Sequence, residues 1–360
     1  YVGYDLGSWI GPIGISKLEM AEYDYSRVTQ CKMKQKIPYV ILGSTDYYSV
    51  AYCDVLGMED VIYCSRFTDR QTSFWSRLLT RLTFHPLINR YIKTPFKSWV
   101  YPRMLELPYD SDAPICFLFF ECWYSIFTTS YMEYLRSTYP KATFVLYLQD
   151  LVHTNPAFDM NALRHTFDHI LSYDPNDSKT YGLHYYPTPY SRFPIANAPI
   201  EYDICFVGHA KDRLHELLHV YEQCTAVGLR CAFYIQGVRE EDKQYQDTIV
   251  YNHPIRYVDN LSLVVRSRCV LEIGQHGGTS NSLRQWEAIM YDKHLLTNHR
   301  GVVNASWYKD SYVHLLEDLH GKDDYMRLKE SLQIHVDYSN EIKDSLSPKH
   351  LLAYIDGLIK

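Results

Sequence analysis

Several features are missing from this sequence of 360 residues, and each absence closes off a class of protein. There is no Cys-x-x-Cys pair among the nine cysteines, so the usual zinc-ribbon and dithiol signatures are lacking. Cys116, Cys205, Cys231 and Cys269 sit inside apolar, strand-like runs, where a thiol behaves as a small hydrophobe. Reduced cysteines in a cytosolic protein are therefore expected. No apolar run approaches the roughly 18 to 20 residues needed to cross a bilayer. The best candidate, residues 115–120, stops at Glu121. The first 20 residues lack a basic start followed by an apolar block, so no export signal is expected. No Gly-x-x-x-x-Gly-Lys-Ser/Thr occurs, and no Gly-x-Gly-x-x-Gly follows a strand, which argues against a P-loop ATPase and a dinucleotide dehydrogenase. Nor is there an excess of positive charge. With 36 Lys and Arg against 42 Asp and Glu, the net charge of -6 gives no reason to expect a nucleic acid partner.

What is present is ordinary globular composition, 46% hydrophobic and 22% charged, in a chain long enough for two domains. Residues 1–36 read as an N-terminal extension of unclear role, with Met33 resembling a native start. Residues 37–195 read as a first lobe, with strands expected at 37–42, 61–64, 115–120, 143–148 and 169–172 and helices at 46–56 and 130–138. A proline-rich stretch, 187–199, makes a natural linker. Residues 196–335 alternate strand and helix with short connections, and 336–360 form a helical end. Such alternation predicts an α/β fold of two Rossmann-like lobes facing a cleft, each with a parallel sheet covered on both faces.

The chemistry concentrates at two turns of the second lobe, each expected to follow a strand and open a helix. In the first, Gly208 reads as a tight turn that admits a ligand to the backbone, with Lys211 and Arg213 placing cations beside it. In the second, Gly277-Gly278 leads to Thr279, expected to cap a helix over 280–290. Free amides behind such a cap form an anion site reinforced by the helix dipole. Thr279, Ser280 and Ser282 add hydroxyl donors, Arg284 reaches the same place, and Glu287 can accept hydrogen bonds from a ribose. The bland alternative is a helix cap followed by a solvated face. Two such turns at one edge of a sheet favour a nucleotide diphosphate.

Residues 203–298 resemble the donor-binding lobe of bacterial glycosyltransferases of the GT-B architecture, in the group associated with lipopolysaccharide and capsule synthesis. The resemblance rests on Phe206-Val207-Gly208, Ala210-Lys211-Asp212-Arg213, Ser282-Leu283-Arg284, Glu287-Ala288 and Leu295-Leu296-Thr297-Asn298. It extends upstream through Leu148-Gln149-Asp150, Phe167-Asp168-His169-Ile170 and Tyr181-Gly182-Leu183-His184. The resemblance implies transfer of a sugar from a nucleotide-diphosphate donor to a lipid-linked or glycan acceptor, without a metal or other cofactor. Negative charge grows on the departing diphosphate in such a reaction, and fixed cations could stabilise it. Asp150, at the end of an apolar strand, is the candidate base for the acceptor hydroxyl, with His153 second. A carboxylate that only caps the next turn remains equally open there.

Two further readings belong to other classes. One is a non-catalytic nucleotide-binding subunit of a polysaccharide complex. The other follows from His215-Glu216-Leu217-Leu218-His219, which matches the zinc-peptidase pattern His-Glu-x-x-His. That helix is expected to be the first crossover of a doubly wound lobe, so two surface histidines are preferred. Asp110-Ser111-Asp112 precedes a strand and reads as a polar loop rather than a metal clamp. Finally, Arg66, Arg70, Arg77, Arg81, Arg90, Lys93, Lys97 and Arg103 cluster with aromatics such as Trp75 and Trp99 against the single acid Asp69. Peripheral contact with anionic headgroups on the inner face of a membrane, and a solvated helical face, are equally good readings of that stretch.

Overall fold

In the computed structural model, the residues described are 37–43, 46–64, 75, 78, 82–83, 100–102, 105, 107–120, 129–154, 159–274 and 282–359. The extension, the eight cations of the basic stretch, and residues 275–281 lie outside them. The first sheet joins β1 (Tyr39–Leu42), β2 (Val61–Cys64), β3 (Cys116–Phe120), β4 (Thr143–Leu148), β5 (His169–Ser172) and β6 (His184–Tyr185) in the order β2-β1-β3-β4-β5-β6. Every pairing is parallel. The strands are apolar on both faces because helices cover both. Tyr39, Ile41, Leu118, Phe120, Val145 and Tyr147 enter one core. Their neighbours Val40, Leu42, Phe117, Phe119, Phe144 and Leu146 enter a second on the opposite side, the period-2 alternation of a strand.

The second sheet contains β7 (Tyr202–His209), β8 (Cys231–Gln236), β9 (Val250–Tyr251), β10 (Ser267–Glu272), β11 (His294–Thr297) and β12 (Val313–Leu315), ordered β12-β11-β10-β7-β8-β9 and again parallel throughout. The chain builds outward from β7 through β9, then returns to the other side of β7 at β10. This is the doubly wound order of dinucleotide-binding sheets, and it leaves a crevice beyond the carboxyl ends of β7 and β10. The architecture is thus α/β with two Rossmann-like lobes, as expected. Two strands the sequence pattern did not suggest, β9 and β12, complete the edges of this sheet.

The first lobe places α1 (Asp46–Ala51) and α2 (Cys53–Leu56) after β1. A single helix was expected there. It breaks at Tyr52, whose fully buried ring meets Phe120 at 5.0 Å and whose hydroxyl accepts from Gln149 Nε2 at 3.1 Å. In the second lobe α6 (Leu214–Ala226) follows β7, and α7 (Tyr257–Val265) precedes β10. Gly228, just past α6, has φ +74, the left-handed turn that glycine tolerates at a helix end. Residues 186–201 form no helix or strand and carry the chain between the sheets. The chain end returns to the first lobe. There Tyr39 Oη donates to the carbonyl of Leu352 at 3.0 Å and to Asp356 at 2.8 Å, both on α11 (Pro348–Ile359).

Candidate functional site

The carboxyl end of β7 carries the candidate cations, but not through a turn at Gly208. Its backbone remains in the strand, because pairing with β8 continues through His209 and Gln236. The chain turns two residues later, where Lys211 adopts the left-handed φ of +46. Gly208 serves a different need: a Cβ there would lie 2.4 Å from Arg284 Nη2. The missing side chain lets the Arg284 guanidinium cross the strand, donate to the Val207 carbonyl and stack 5.2 Å from the Phe206 ring. Arg284 Nε is buried without a hydrogen-bond partner among the described residues.

Arg213 is spent differently. Its guanidinium donates to the Ile273 carbonyl beyond β10 and to the His209 carbonyl of β7, through Nε at 3.3 Å and Nη2 at 3.1 Å. It therefore ties the two strand ends that flank the crevice. Burial, then Arg284, pull its pKa down to about 10. Lys211 is exposed and makes no hydrogen bond or ion pair among the described residues. Although its surface is open to water, the protein around the ammonium lowers its pKa; Asp150 opposes this, and Arg213 and Arg284 add to the lowering. The sequence reading passed over His209, which belongs to the same cluster. Its pKa falls through burial and through Lys211, Arg213 and Arg284. Three cations and an imidazole thus crowd one strand end, an arrangement whose mutual repulsion an anion would relieve.

Across the cleft stands Asp150, just past the end of β4 in the first lobe. Its residue surface is open to water, while the protein around the carboxyl raises its pKa and Lys211 draws it back. The two lobes thus bring a carboxylate of elevated basicity to face the cation cluster.

The second turn is capped by Ser282 rather than Thr279. Ser282 has extended backbone and accepts from the Arg284 amide at 3.2 Å, so the helix α8 (Leu283–Met290) starts three residues later than expected. Thr279, Ser280 and the glycine pair lie outside the described residues. Glu287 is not on a solvated face. It is 4% exposed and accepts at one oxygen from Tyr257 Oη at 2.7 Å and Asn260 Nδ2 at 3.0 Å. Burial raises its pKa, while Arg284 and these two donors oppose the rise. Tyr257 also bonds Tyr190 at 2.7 Å and meets the Tyr47 ring of the first lobe edge-on at 5.2 Å. Nothing in linear spacing signals that pairing. It links the candidate ribose acceptor to the lobe interface. Beneath the site, the buried Glu272 carboxylate accepts from Gln285 Nε2 at 3.0 Å and Thr297 Oγ1 at 2.7 Å, which fastens α8 to β10 and β11.

The other motifs stay apart from this cluster. His215 and His219 are exposed on α6, and Glu216 between them accepts from Asn298 Nδ2 at 3.1 Å. Asp110 and Asp112 occupy an exposed loop before β3, with Asp112 3.8 Å from Lys141. Of the aromatics in the basic stretch, Trp75 is 68% exposed, whereas Tyr101 is buried.

Fold and site together define a two-lobed, Rossmann-like α/β protein with a cation cluster at the switch point of its second sheet. No family model and no curated protein sequence matches the chain. Among solved structures it is similar to AviGT4, a glycosyltransferase involved in avilamycin A biosynthesis, at 13% identity and a TM-score of 0.47 over 73% of this chain and 76% of that one. It is also similar to HepE of Anabaena in complex with UDP-glucose, at 10% identity and a TM-score of 0.44 over 90% and 98% of the two chains. A third likeness is to a UDP-N-acetylglucosamine 2-epimerase described from Listeria monocytogenes, at 12% identity and a TM-score of 0.45 over 91% and 97%.

Proposed function

We propose that this chain is a glycosyltransferase that uses a nucleotide-diphosphate sugar. The observation that carries the proposal is the cluster of Lys211, Arg284 and His209 at the switch point, facing Asp150 across the cleft. The diphosphate would lie beyond β7, held by the Lys211 ammonium and the Arg284 donors not used on Val207. Glu287 offers its second oxygen to the ribose. Arg213 holds the crevice open at the right width rather than touching the phosphates. Thr279, Ser280 and Ser282 remain candidates for the phosphate oxygens at the start of α8.

In the reaction an acceptor hydroxyl oxygen forms a bond to the anomeric carbon, and the bond from that carbon to the diphosphate oxygen breaks. Asp150 takes the hydroxyl proton, a task its raised pKa suits. Charge released onto the diphosphate is met by Lys211 and Arg284, so the protein's own cations do the work a divalent metal would otherwise do. A lipid-linked or polysaccharide acceptor fits the basic, aromatic stretch of residues 66–103, which would bring the first lobe to an anionic surface.

Asp150→Asn separates this reading from a non-catalytic nucleotide-binding subunit. A transferase loses turnover by two orders of magnitude or more, on the order of what a general base supplies, while keeping its nucleotide affinity. Unchanged sugar transfer or donor hydrolysis in that variant would remove Asp150 from the chemistry.

A further inference from the structure

A cavity of about 340 Å³ lies at the other end of the second lobe, away from the cation cluster. The interlobe linker supplies one wall, through Arg192, Phe193 and Asn197, and Val265, Tyr291 and Lys293 supply the other. Val265 closes α7 and Lys293 immediately precedes β11, so the cavity opens at the amino ends of the strands. Tyr291 Oη donates to the Phe193 carbonyl at 2.8 Å, which pins the linker to the lobe.

Lys293 is 9% exposed, and its ammonium donates to the Val265 carbonyl at 2.7 Å. Among the described residues no carboxylate comes within 4.0 Å of it. The neighbouring Asp292 is committed elsewhere, taking Lys343 Nζ at 2.7 and 2.8 Å on its two oxygens. A buried ammonium without a counter-charge is expensive unless something neutralises it. Here Lys293 is one of the residues that line the cavity, together with a second cation, Arg192, which is exposed and without an ion pair among the described residues.

We propose that this linker cavity is a binding site for a small organic oxyanion, a carboxylate or phosphate head on a short apolar body. The head lies between Lys293 and Arg192. The body rests on Phe193 and Val265, and Asn197 offers its amide. Binding ties the linker to the second lobe at a place distant from the cleft, so occupancy bears on how the lobes are held. The burial that lowers the Lys293 pKa is offset once the anion arrives, so binding draws a proton onto the lysine wherever it was neutral.

The test titrates the full chain with phenyl phosphate, benzoate and the neutral benzyl alcohol, followed by saturation-transfer NMR and calorimetry. At least one anion binds and benzyl alcohol does not; the anion that binds identifies the head. Arg192→Gln, a surface change that leaves the core intact, weakens that binding about tenfold, the loss of one charged contact. Lys293→Met abolishes it, provided its melting curve shows a folded protein. Lys211→Ala leaves the Arg192-dependent binding unchanged, which separates this cavity from the cleft. Equal binding by wild type and Arg192→Gln, loss of binding in Lys211→Ala, or no anion binding in the millimolar range overturns the proposal.

Discussion

Alanine at position 208 probes how the site is built. The new Cβ would meet Arg284 Nη2 at 2.4 Å and Phe206 Cζ at 3.2 Å. Only the first contact is intolerable, and it falls on the far end of a flexible side chain. Arg284 must therefore leave the Val207 carbonyl and its place over Phe206. A hydrogen bond to a charged donor is worth about 1.5–3 kcal/mol, and a partly exposed guanidinium recovers some of that from water once displaced. Removing glycine from a strand returns roughly 0.5–1 kcal/mol. The net loss of stability is about 1 kcal/mol, a shift in Tm of about 2 °C. Nucleoside diphosphate affinity suffers more, by about tenfold to a hundredfold, because the cation has left its station. Calorimetric titration and melting curves on Gly208→Ala, Arg284→Ala and the double variant form a closed cycle. With Arg284 truncated nothing obstructs the new methyl, so Gly208→Ala should then be nearly silent in both measurements. If it costs the same in both backgrounds, glycine is not there for the arginine.

Lys211→Ala should weaken diphosphate binding about tenfold or more at unchanged Tm, since the ammonium makes no contact in the protein that its removal would break. Glu287→Gln keeps the acceptor for Tyr257 and Asn260. The folded-state pKa of Glu287 is raised, so its stability contribution is present at low pH and lost as pH rises through that pKa. The Tm difference, variant minus wild type, should accordingly be more positive at pH 8 than at pH 5; no such trend would show that the carboxylate is not destabilised by its burial. His209 has a lowered pKa, and a bound diphosphate favours its charged form. Wild type should thus gain affinity over His209→Asn as pH falls below 6.5, the ordinary imidazole value, and the two should converge above it. Chelation with EDTA should leave turnover intact, and restoration of a lost activity by manganese would point to a metal instead.

Much of the fold was legible because parallel strands buried on both faces are continuous apolar runs. Residues 61–64, 143–148 and 169–172 were placed to the residue, and β3 nearly so. The short edge strands β9 and β12, of two and three residues, carry too little pattern to stand out. The break at Tyr52 was hidden because it is tertiary packing that ends the helix there, not a proline or glycine. At the site, residue types were readable but their employment was not. Arg213 and Arg284 look alike in sequence, yet one guanidinium is consumed by strand-end carbonyls while the other keeps donors to spare. Gly208 reads as a turn from its position, whereas its role depends on an arginine 76 residues away. His209 lacked any motif to mark it, and only the convergence of β7, α6 and α8 makes it part of the cluster. Glu287 was singled out for a ribose, but its partners Tyr257 and Asn260 come from α7, a separate helix that no motif in the sequence ties to it.

The central claim is that the switch point of the second sheet binds a nucleoside diphosphate through Lys211 and Arg284. Calorimetric titration of UDP, GDP and CDP in EDTA, against wild type and the Lys211→Ala/Arg284→Ala double variant, tests it most directly. At least one of the three should bind wild type with a stoichiometry of about one and fail to bind the double variant, while the melting temperatures stay within a few degrees. Equal binding by both proteins, or no binding of any diphosphate to wild type, would contradict the account.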